Sequence, residues 1–218
     1  MFFEFLFPRR CVFCHRVLVS GERDLCVRCV HETALGKAHL LALKDRAEAL
    51  RVENIDALFD FARCRRALED FKYGRQLYKG RILGKMWANH LKEFEWAREA
   101  DLILPMPMNR WKMLQRSYNQ SEFLAGILSK QLGVPLCRNA VERKWQRTSQ
   151  VKSKNRWSNI KGVFSLNDKA GRLLSGKSVL IVDDVITSSA TVSELLRVLR
   201  AVDGLRVSLA FLSAEVKS

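Results

Sequence analysis

Two adjacent carboxylates mark the part of this sequence where chemistry is easiest to place. Asp183 and Asp184 follow residues 179–182, a β-branched and aliphatic run typical of a strand buried on both faces. An apolar helical pattern begins at Val192, and the turn before it contains small and hydroxyl residues, namely Thr187, Ser188, Ser189, Ala190 and Thr191. Ligands of open α/β sheets bind beyond the carboxyl ends of strands, and N–H groups at a helix start favour anions. This order predicts a site for a phosphorylated ribose. The alternative is a buried strand that ends in a solvated acidic turn.

Four cysteines near the start form a second group with chemical meaning. They make two CxxC pairs separated by eleven residues: Cys11, Cys14, Cys26 and Cys29. Four thiolates fill the tetrahedral shell of zinc and leave no open position, so the predicted site is structural rather than catalytic. Two disulfides or a redox motif are the alternatives, and the absence of a secretory signal disfavours the disulfides. Cys64 and Cys137 are expected to be buried small apolar residues.

The elements that position these residues follow from the rest of the pattern. Residues 57–62 read as a strand, and residues 101–108 as a second strand that runs into a proline-punctuated loop. Residues 65–73 read as a helix that ends before Gly74. Residues 32–53 read as one or two helices that connect the cysteine module to the rest. With 218 residues, 48% of them hydrophobic, the chain can form one α/β domain and a small docked module.

A second anion site is predicted in the loop from Pro105 to Arg116, which follows the second strand. The loop there carries Arg110 and Arg116, whose guanidinium groups suit bidentate contacts with phosphate oxygens. Ser117 is a candidate N-cap, with Gln120 completing a capping box before the next apolar helix. The alternative is that both arginines are surface residues that flank this helix.

The charge of the chain suggests a polyanionic partner. The formal net charge is +15 at pH 7. Residues 63–85 contain eight basic residues against two acidic ones, and residues 138–161 contain eight against one, with aromatic residues among them. Basic groups with interleaved aromatic rings are typical of single-strand binding. The alternatives are that these basic clusters are solvated surfaces, or that they bind the small phosphorylated ligand.

The sequence also predicts where the protein is found. No apolar run approaches the roughly 18 residues that a spanning helix needs. Residues 1–7 are aromatic but lack the basic start of a signal peptide. We therefore expect a soluble cytoplasmic protein. Its aromatic start could contact a membrane surface or a partner, although packing on the body of the protein is favoured.

The stretch VDDVITSSAT resembles the phosphoribosyl pyrophosphate signature of the type I phosphoribosyltransferases. In that family the acidic pair holds the ribose hydroxyls and, indirectly, magnesium, while the turn holds the 5′-phosphate. The loop after the first core strand holds pyrophosphate, which implies this role for Arg110 and Arg116. Ser189 stands where the family usually has glycine. If that position requires a positive φ, serine costs about 1–2 kcal/mol and loosens the phosphate site.

Further segments narrow the resemblance to the ComF family. They are FKYGR, LPMPMNR, RSYNQSEFLA and the two CxxC pairs, so the similarity spans nearly the whole chain. It implies a type I phosphoribosyltransferase-like fold with a mostly parallel sheet, residues 46–218, preceded by a small four-cysteine zinc module, residues 1–45. It also implies a role in natural transformation and a mobile loop over the site. That loop corresponds to residues 141–159 and includes Arg143, Lys144 and Arg147.

Three functions therefore compete. The favoured one is a DNA-uptake accessory that binds single-stranded DNA and carries phosphoribosyl pyrophosphate with magnesium. The second is a working phosphoribosyltransferase, for which no segment identifies the nitrogen acceptor. The third is a zinc-ribbon scaffold with a vestigial nucleotide site that binds proteins of the uptake machinery.

Overall fold

The computed structural model describes residues 8–33, 37–74, 76–144 and 161–215. A four-stranded parallel sheet lies at its centre, with strand order β1-β6-β5-β2. An antiparallel pair, β3 with β4, lies apart from this sheet. The strands are β1 Asn54–Asp60, β2 Leu102–Pro105, β3 Val141–Arg143, β4 Phe164–Leu166, β5 Ser178–Ile186 and β6 Arg206–Ala214.

Helices cover both faces of the parallel sheet. They are α1 Val27–Thr33, α2 Lys37–Leu50, α3 Phe61–Lys72, α4 Leu77–Leu91, α5 Glu95–Arg98, α6 Arg110–Arg116, α7 Gln120–Leu132, α8 Ala170–Leu174 and α9 Ala190–Leu199. Apolar residues of α3, α4 and α7 form one core, and those of α2, α8 and α9 form the other. Leu180 and Val182 point into the first core and Val179 and Ile181 into the second, as the alternation of a strand requires. The predicted strand buried on both faces is confirmed.

Strand β5 is longer than its sequence pattern predicts. The strand was expected to end at residue 182, but it continues to Ile186 because β6 pairs with it along its length. Strand β2 stops earlier, at Pro105 opposite Val182. On the β2 side the sheet is therefore open from Asp183 onward. Both carboxylates lie within the last residues of the strand rather than in the turn after it.

Two helix starts also differ from expectation. The side chain of Asp60 caps α3 by accepting a hydrogen bond from the N–H of Ala62, so that helix begins at Phe61 rather than at residue 65. Ser117 is not an N-cap. Residues of the preceding loop form α6, and Ser117 ends that helix with φ 65°. Asn119 caps α7 instead, accepting from the N–H of Ser121 at 3.1 Å.

The cysteine module packs directly on the α/β body. The ring of Phe13 meets that of Phe59 edge to face, with centroids 5.1 Å apart. Cys11 and Cys26 are buried in the same core as Phe71. The expected docking of the module is confirmed by this shared core. The division at residue 45 falls inside α2 and stays a prediction.

Among the described residues, no helix combines the length and the apolar character needed to cross a lipid bilayer. The aromatic segment 1–7, for which membrane or partner contact was considered, lies outside the described residues.

Candidate functional site

Asp183 is held by two hydrogen bonds at the open end of β5. One carboxylate oxygen accepts from the hydroxyl of Ser121, at the start of α7, at 2.6 Å, and from the N–H of Asp184 at 2.9 Å. Burial, with the neighbouring charge of Asp184, raises the pKa of Asp183 to about 6, against the effect of these hydrogen bonds. The carboxylate of Asp183 is therefore fixed in orientation, and a cation that approaches it would lower its pKa.

Asp184 has a different partner, a lysine that sequence reasoning did not single out. Its carboxylate lies 2.8 Å from Nζ of Lys72, at the end of α3, and both side chains are largely buried. Its carbonyl accepts a hydrogen bond from the hydroxyl of Ser213. In the sequence, Lys72 falls within the basic stretch 63–85 and the FKYGR segment, neither of which assigned it to the site.

The end of α3 connects the cysteine module with the acidic pair. Asp70 accepts a hydrogen bond from the buried Lys79 at 2.5 Å and lies 3.3 Å from His15, the residue after Cys14. The carbonyl of Phe71 accepts a hydrogen bond from the hydroxyl of Tyr118. Lys72 then pairs with Asp184. We call residues 70–73 the connecting segment, because its consecutive residues contact the cysteine module, Tyr118 and the acidic pair.

Tyr73, the last residue of the connecting segment, positions one of the two predicted arginines. The guanidinium group of Arg116 lies over the ring of Tyr73, 4.5 Å from its centroid, and donates to Gln120 at 3.0 Å. Its Nε is buried and has no hydrogen-bond partner among the described residues, so it can donate to an anion. Arg110 begins α6, and its side chain lies outside those that the structure describes.

Further cations surround the acidic pair. Burial lowers the pKa of Lys112, on α6, and the positive charges of Arg116 and Arg143 lower it further. Burial also lowers the pKa of Arg143, while the negative charge of Asp183 acts in the opposite direction. Lys112 therefore lies in the positive field of Arg116 and Arg143, and Arg143 lies in the negative field of Asp183.

The hairpin of β3 and β4 carries the predicted mobile-loop residues. Arg143 lies over the ring of Phe164 at 5.3 Å, and the N–H of Lys144 donates to Val163 at 2.8 Å. The third residue of this set, Arg147, lies outside the described residues. The described part thus forms the base of the expected loop beside Asp183.

The hydroxyl-rich turn leads from β5 into α9, as predicted. Ser189 has φ −71°, in the right-handed region, so the conditional cost of replacing glycine does not arise. It precedes the first residue of the helix and makes no side-chain cap, which leaves the helix start accessible to an anion. Arg46, which sequence reasoning missed, donates to the carbonyl of Thr187 at 3.3 Å, and its buried Nη1 has no partner among the described residues.

The four predicted cysteines converge. Their sulfur atoms all lie within 4.8 Å of one another, and those of Cys14 and Cys26 are 3.7 Å apart. Tetrahedral Zn–S bonds of about 2.3 Å require sulfur atoms about 3.8 Å apart. All six cysteines of the chain are free, which argues against the disulfide alternative. The group is compatible with a metal site.

The surroundings of the cysteines support this geometry. Burial opposes ionisation of Cys26, but hydrogen bonds from the N–H of Cys29 and from the other thiols lower its pKa to about 6. The carboxylate of Glu22 accepts from the N–H groups of Val19 and Val27, each at 2.9 Å, and so fixes the loop between the pairs. A largely preformed arrangement of thiols lowers the ordering cost of binding a metal.

Comparison with known proteins gives this site a family context. Residues 119–216 match the Phosphoribosyl transferase domain family. The chain is 29% identical over 138 residues to Competence protein F of Haemophilus influenzae, covering 61% of this chain and 60% of that protein. Both findings support the resemblance to the ComF family. It is also 31% identical over 101 residues to the DNA utilization protein YhgH of Escherichia coli K12, covering 45% of this chain and 43% of that protein.

The chain spans about half the length of the curated relatives it matches. Its fold is that of the type I phosphoribosyltransferases, with a Cys cluster at the N-terminus. Among solved structures it is similar to adenine phosphoribosyltransferase from Thermoanaerobacter pseudethanolicus, with a TM-score of 0.42, 19% identity, and coverage of 65% of this chain and 71% of that one. The domain match includes Asp183, Asp184 and the turn. It includes neither the cysteines nor Lys72.

Proposed function

We propose that this protein is a ComF-family accessory of DNA uptake that binds single-stranded DNA and holds phosphoribosyl pyrophosphate with magnesium. The observation that carries the ligand part is the acidic pair at the open end of β5, surrounded by cations of separate elements. These cations are Lys72, Lys112, Arg116 and Arg143. A ligand that combines ribose hydroxyls with several phosphates matches both signs of charge at once.

Each part of the ligand has a natural partner. Asp183 and Asp184 accept hydrogen bonds from ribose hydroxyls, and carboxylate oxygens also suit magnesium and its bound water. The turn from Thr187 to the start of α9 binds the 5′-phosphate through backbone N–H groups. Arg116 donates to pyrophosphate through its unpartnered Nε. Magnesium would supply charge neutralisation of the pyrophosphate.

We assign structural zinc to the four cysteines. The sulfur spacing fits four Zn–S bonds, and a full shell of thiolates leaves no place for water or substrate. The metal would keep the loop of His15 in the position from which it contacts Asp70.

The DNA part of the proposal is supported by charge and by the printed names of the relatives. The net charge of +15 exceeds what a small phosphorylated ligand requires. The names of the relatives refer to competence and to DNA utilization. Within this proposal, proteins of the uptake machinery are further partners.

A thermal-shift titration tests the ligand. Phosphoribosyl pyrophosphate with magnesium, at about a hundred times its dissociation constant, should stabilise the wild type by about 2.7 kcal/mol. Asp183→Asn keeps an oxygen for Ser121 but removes the negative charge, so the shift should largely disappear. Asp203→Asn is the matched control, because that exposed residue lies just before β6, at the amino ends of the parallel strands and away from the acidic pair. An equal shift in all three proteins would refute the assignment.

Fluorescence anisotropy with a labelled oligothymidylate tests the DNA. Binding should weaken steeply with salt, because counterions released from phosphates drive it. No binding at low salt would refute this part of the proposal. If the Asp183→Asn variant also retained transformation activity in cells, the scaffold function would replace it.

Pentosyl transfer is a second candidate, favoured by the position of Arg143 near Asp183 at the base of the loop. A nitrogen nucleophile would form a bond to C1 of the ribose as the C1–O bond to pyrophosphate breaks, and the nucleophile would lose its proton to solvent. Cations at the pyrophosphate would stabilise the departing charge. Pyrophosphate release with a panel of nucleobases would establish this activity. If none of them released pyrophosphate, transfer would be rejected and only ligand binding would remain as the role of this site.

A further inference from the structure

A groove of about 690 Å³ runs between α4 and α7, outside the acidic site. Helix α4 contributes Arg81 and Lys85 to its walls, and Lys130 lies on α7. Gly126 forms part of the floor, where an added Cβ would meet no heavy atom within 4 Å. The two helices pack closely where Gly84 meets Ile127, and the groove runs along the open side of that contact.

The walls of this groove are positive. Among the described residues, Arg81, Lys85 and Lys130 have no acidic side chain within ion-pair distance. The one carboxylate of the groove, Glu122, is neutralised by Arg138 at 2.7 Å. Three uncompensated cations along one channel match the phosphates of an extended chain better than a single compact anion.

Aromatic rings line the same groove. Tyr118 and Phe123 are partly buried there, with ring centroids 6.1 Å apart, and both pack against Phe71. Their positions are therefore fixed before any ligand binds. Rings of this kind provide stacking surfaces for bases of any sequence.

We propose that single-stranded DNA binds in the α4–α7 groove, with its phosphates on Arg81, Lys85 and Lys130 and its bases against Tyr118 and Phe123. This inference rests on the proposed DNA binding and names the surface that performs it. The groove reaches α6 through Met113, and Arg116 on the same helix belongs to the acidic site. DNA and the phosphorylated ligand therefore share α6 as a common wall.

Two kinds of variant test the groove. Gly126→Leu fills its floor without changing charge, and should weaken oligothymidylate binding at least tenfold. Arg81→Gln with Lys85→Gln removes two phosphate contacts. Because single strands lose about 0.7 in the salt slope for each contact, the slope of log K against log salt should fall by about 1.4. The matched control is Lys169→Gln with Arg172→Gln at α8, which packs in the other core.

The outcomes separate this inference from the proposed function. If the wild type binds no oligonucleotide, the proposed DNA function fails. If the wild type binds the oligonucleotide and the groove variants bind it equally well, the proposed DNA function stands but the α4–α7 groove is not its binding surface. Unchanged melting temperatures would show that the variants are folded. A polyglutamate peptide that displaces DNA at equal charge concentration would also overturn the inference, because stacking on Tyr118 and Phe123 predicts a preference for bases.

Discussion

A single added methyl group at Gly80 should disturb the connecting segment. Gly80 lies in the first turn of α4, against the ring of Phe71. An alanine Cβ would lie 2.3 Å from Cε2 and 2.6 Å from Cδ2 of that ring, far inside the roughly 3.5–4.0 Å of van der Waals contact. Phe71 is fully buried and packs against Tyr118 and Phe123, so the ring cannot easily retreat.

The magnitude follows from two opposing effects. Glycine to alanine in a helix interior ordinarily stabilises by about 1 kcal/mol. Overpacking a fixed core ordinarily costs about 1–3 kcal/mol. Gly80→Ala should therefore be neutral or destabilise by up to about 2 kcal/mol. Gly126→Ala, also in a helix, meets nothing and should stabilise by about 1 kcal/mol.

Urea denaturation of the two variants measures this difference. We expect Gly80→Ala to be less stable than Gly126→Ala by about 1–3 kcal/mol, with similar m-values. The Gly80 variant should also bind phosphoribosyl pyrophosphate more weakly, because Lys72 adjoins the displaced ring. Equal stabilisation by both substitutions would refute the view that Phe71 holds the connecting segment in place.

Three further predictions concern the metal, an acid-sensitive group and the buried ion pair. A strong zinc chelator should lower the melting temperature of the full chain and weaken its ligand binding, because the contact of His15 with Asp70 depends on the cysteine loop. A protein unaffected by chelation would contradict the zinc assignment. Hydrogen bonds from Arg197 and from the N–H of Gly162 hold the pKa of Glu194 below its ordinary 4.5, against burial. The stabilisation from the ionised Glu194 carboxylate is fully present above pH 4.5 and is lost as the pH falls through the lowered pKa of the folded state. Glu194→Gln should therefore destabilise the protein at neutral pH and match the wild type in acid. A stability difference that stays constant across pH would disprove this. Lys72→Met leaves Asp184 buried without its cation and should destabilise the protein by about 3 kcal/mol. In a double-mutant cycle, adding Asp184→Asn should restore much of this loss. Simple additivity of the two effects would contradict the ion pair between Lys72 and Asp184.

Features that are local in sequence could be predicted, and this covers much of the site. The cysteines lie in short loops, so their spacing alone brings the sulfur atoms together. Asp183, Asp184 and the turn into α9 are consecutive, so one strand and one helix fix them. The sequence pattern missed the end of β5, because its length depends on pairing with β6.

Contacts between distant segments could not be predicted. Lys72 meets Asp184, and Arg46 meets Thr187, only because the sheet brings α2 and α3 beside the end of β5. The basic stripe at residues 63–85 shows the same limit, because a count of charges does not reveal pairing. Lys79 is buried against Asp70, and Arg65 pairs with Glu69, so only part of the stripe is open to a partner.

Calorimetric titration of phosphoribosyl pyrophosphate tests the central claim most directly, since that claim concerns the acidic pair at the end of β5. In the presence of magnesium the wild type should bind one ligand per chain, with binding much weaker when magnesium is omitted. Asp183→Asn should lose most of this affinity, while Asp203→Asn should retain it. Binding of equal strength in all three proteins, or none in the wild type, would contradict the account.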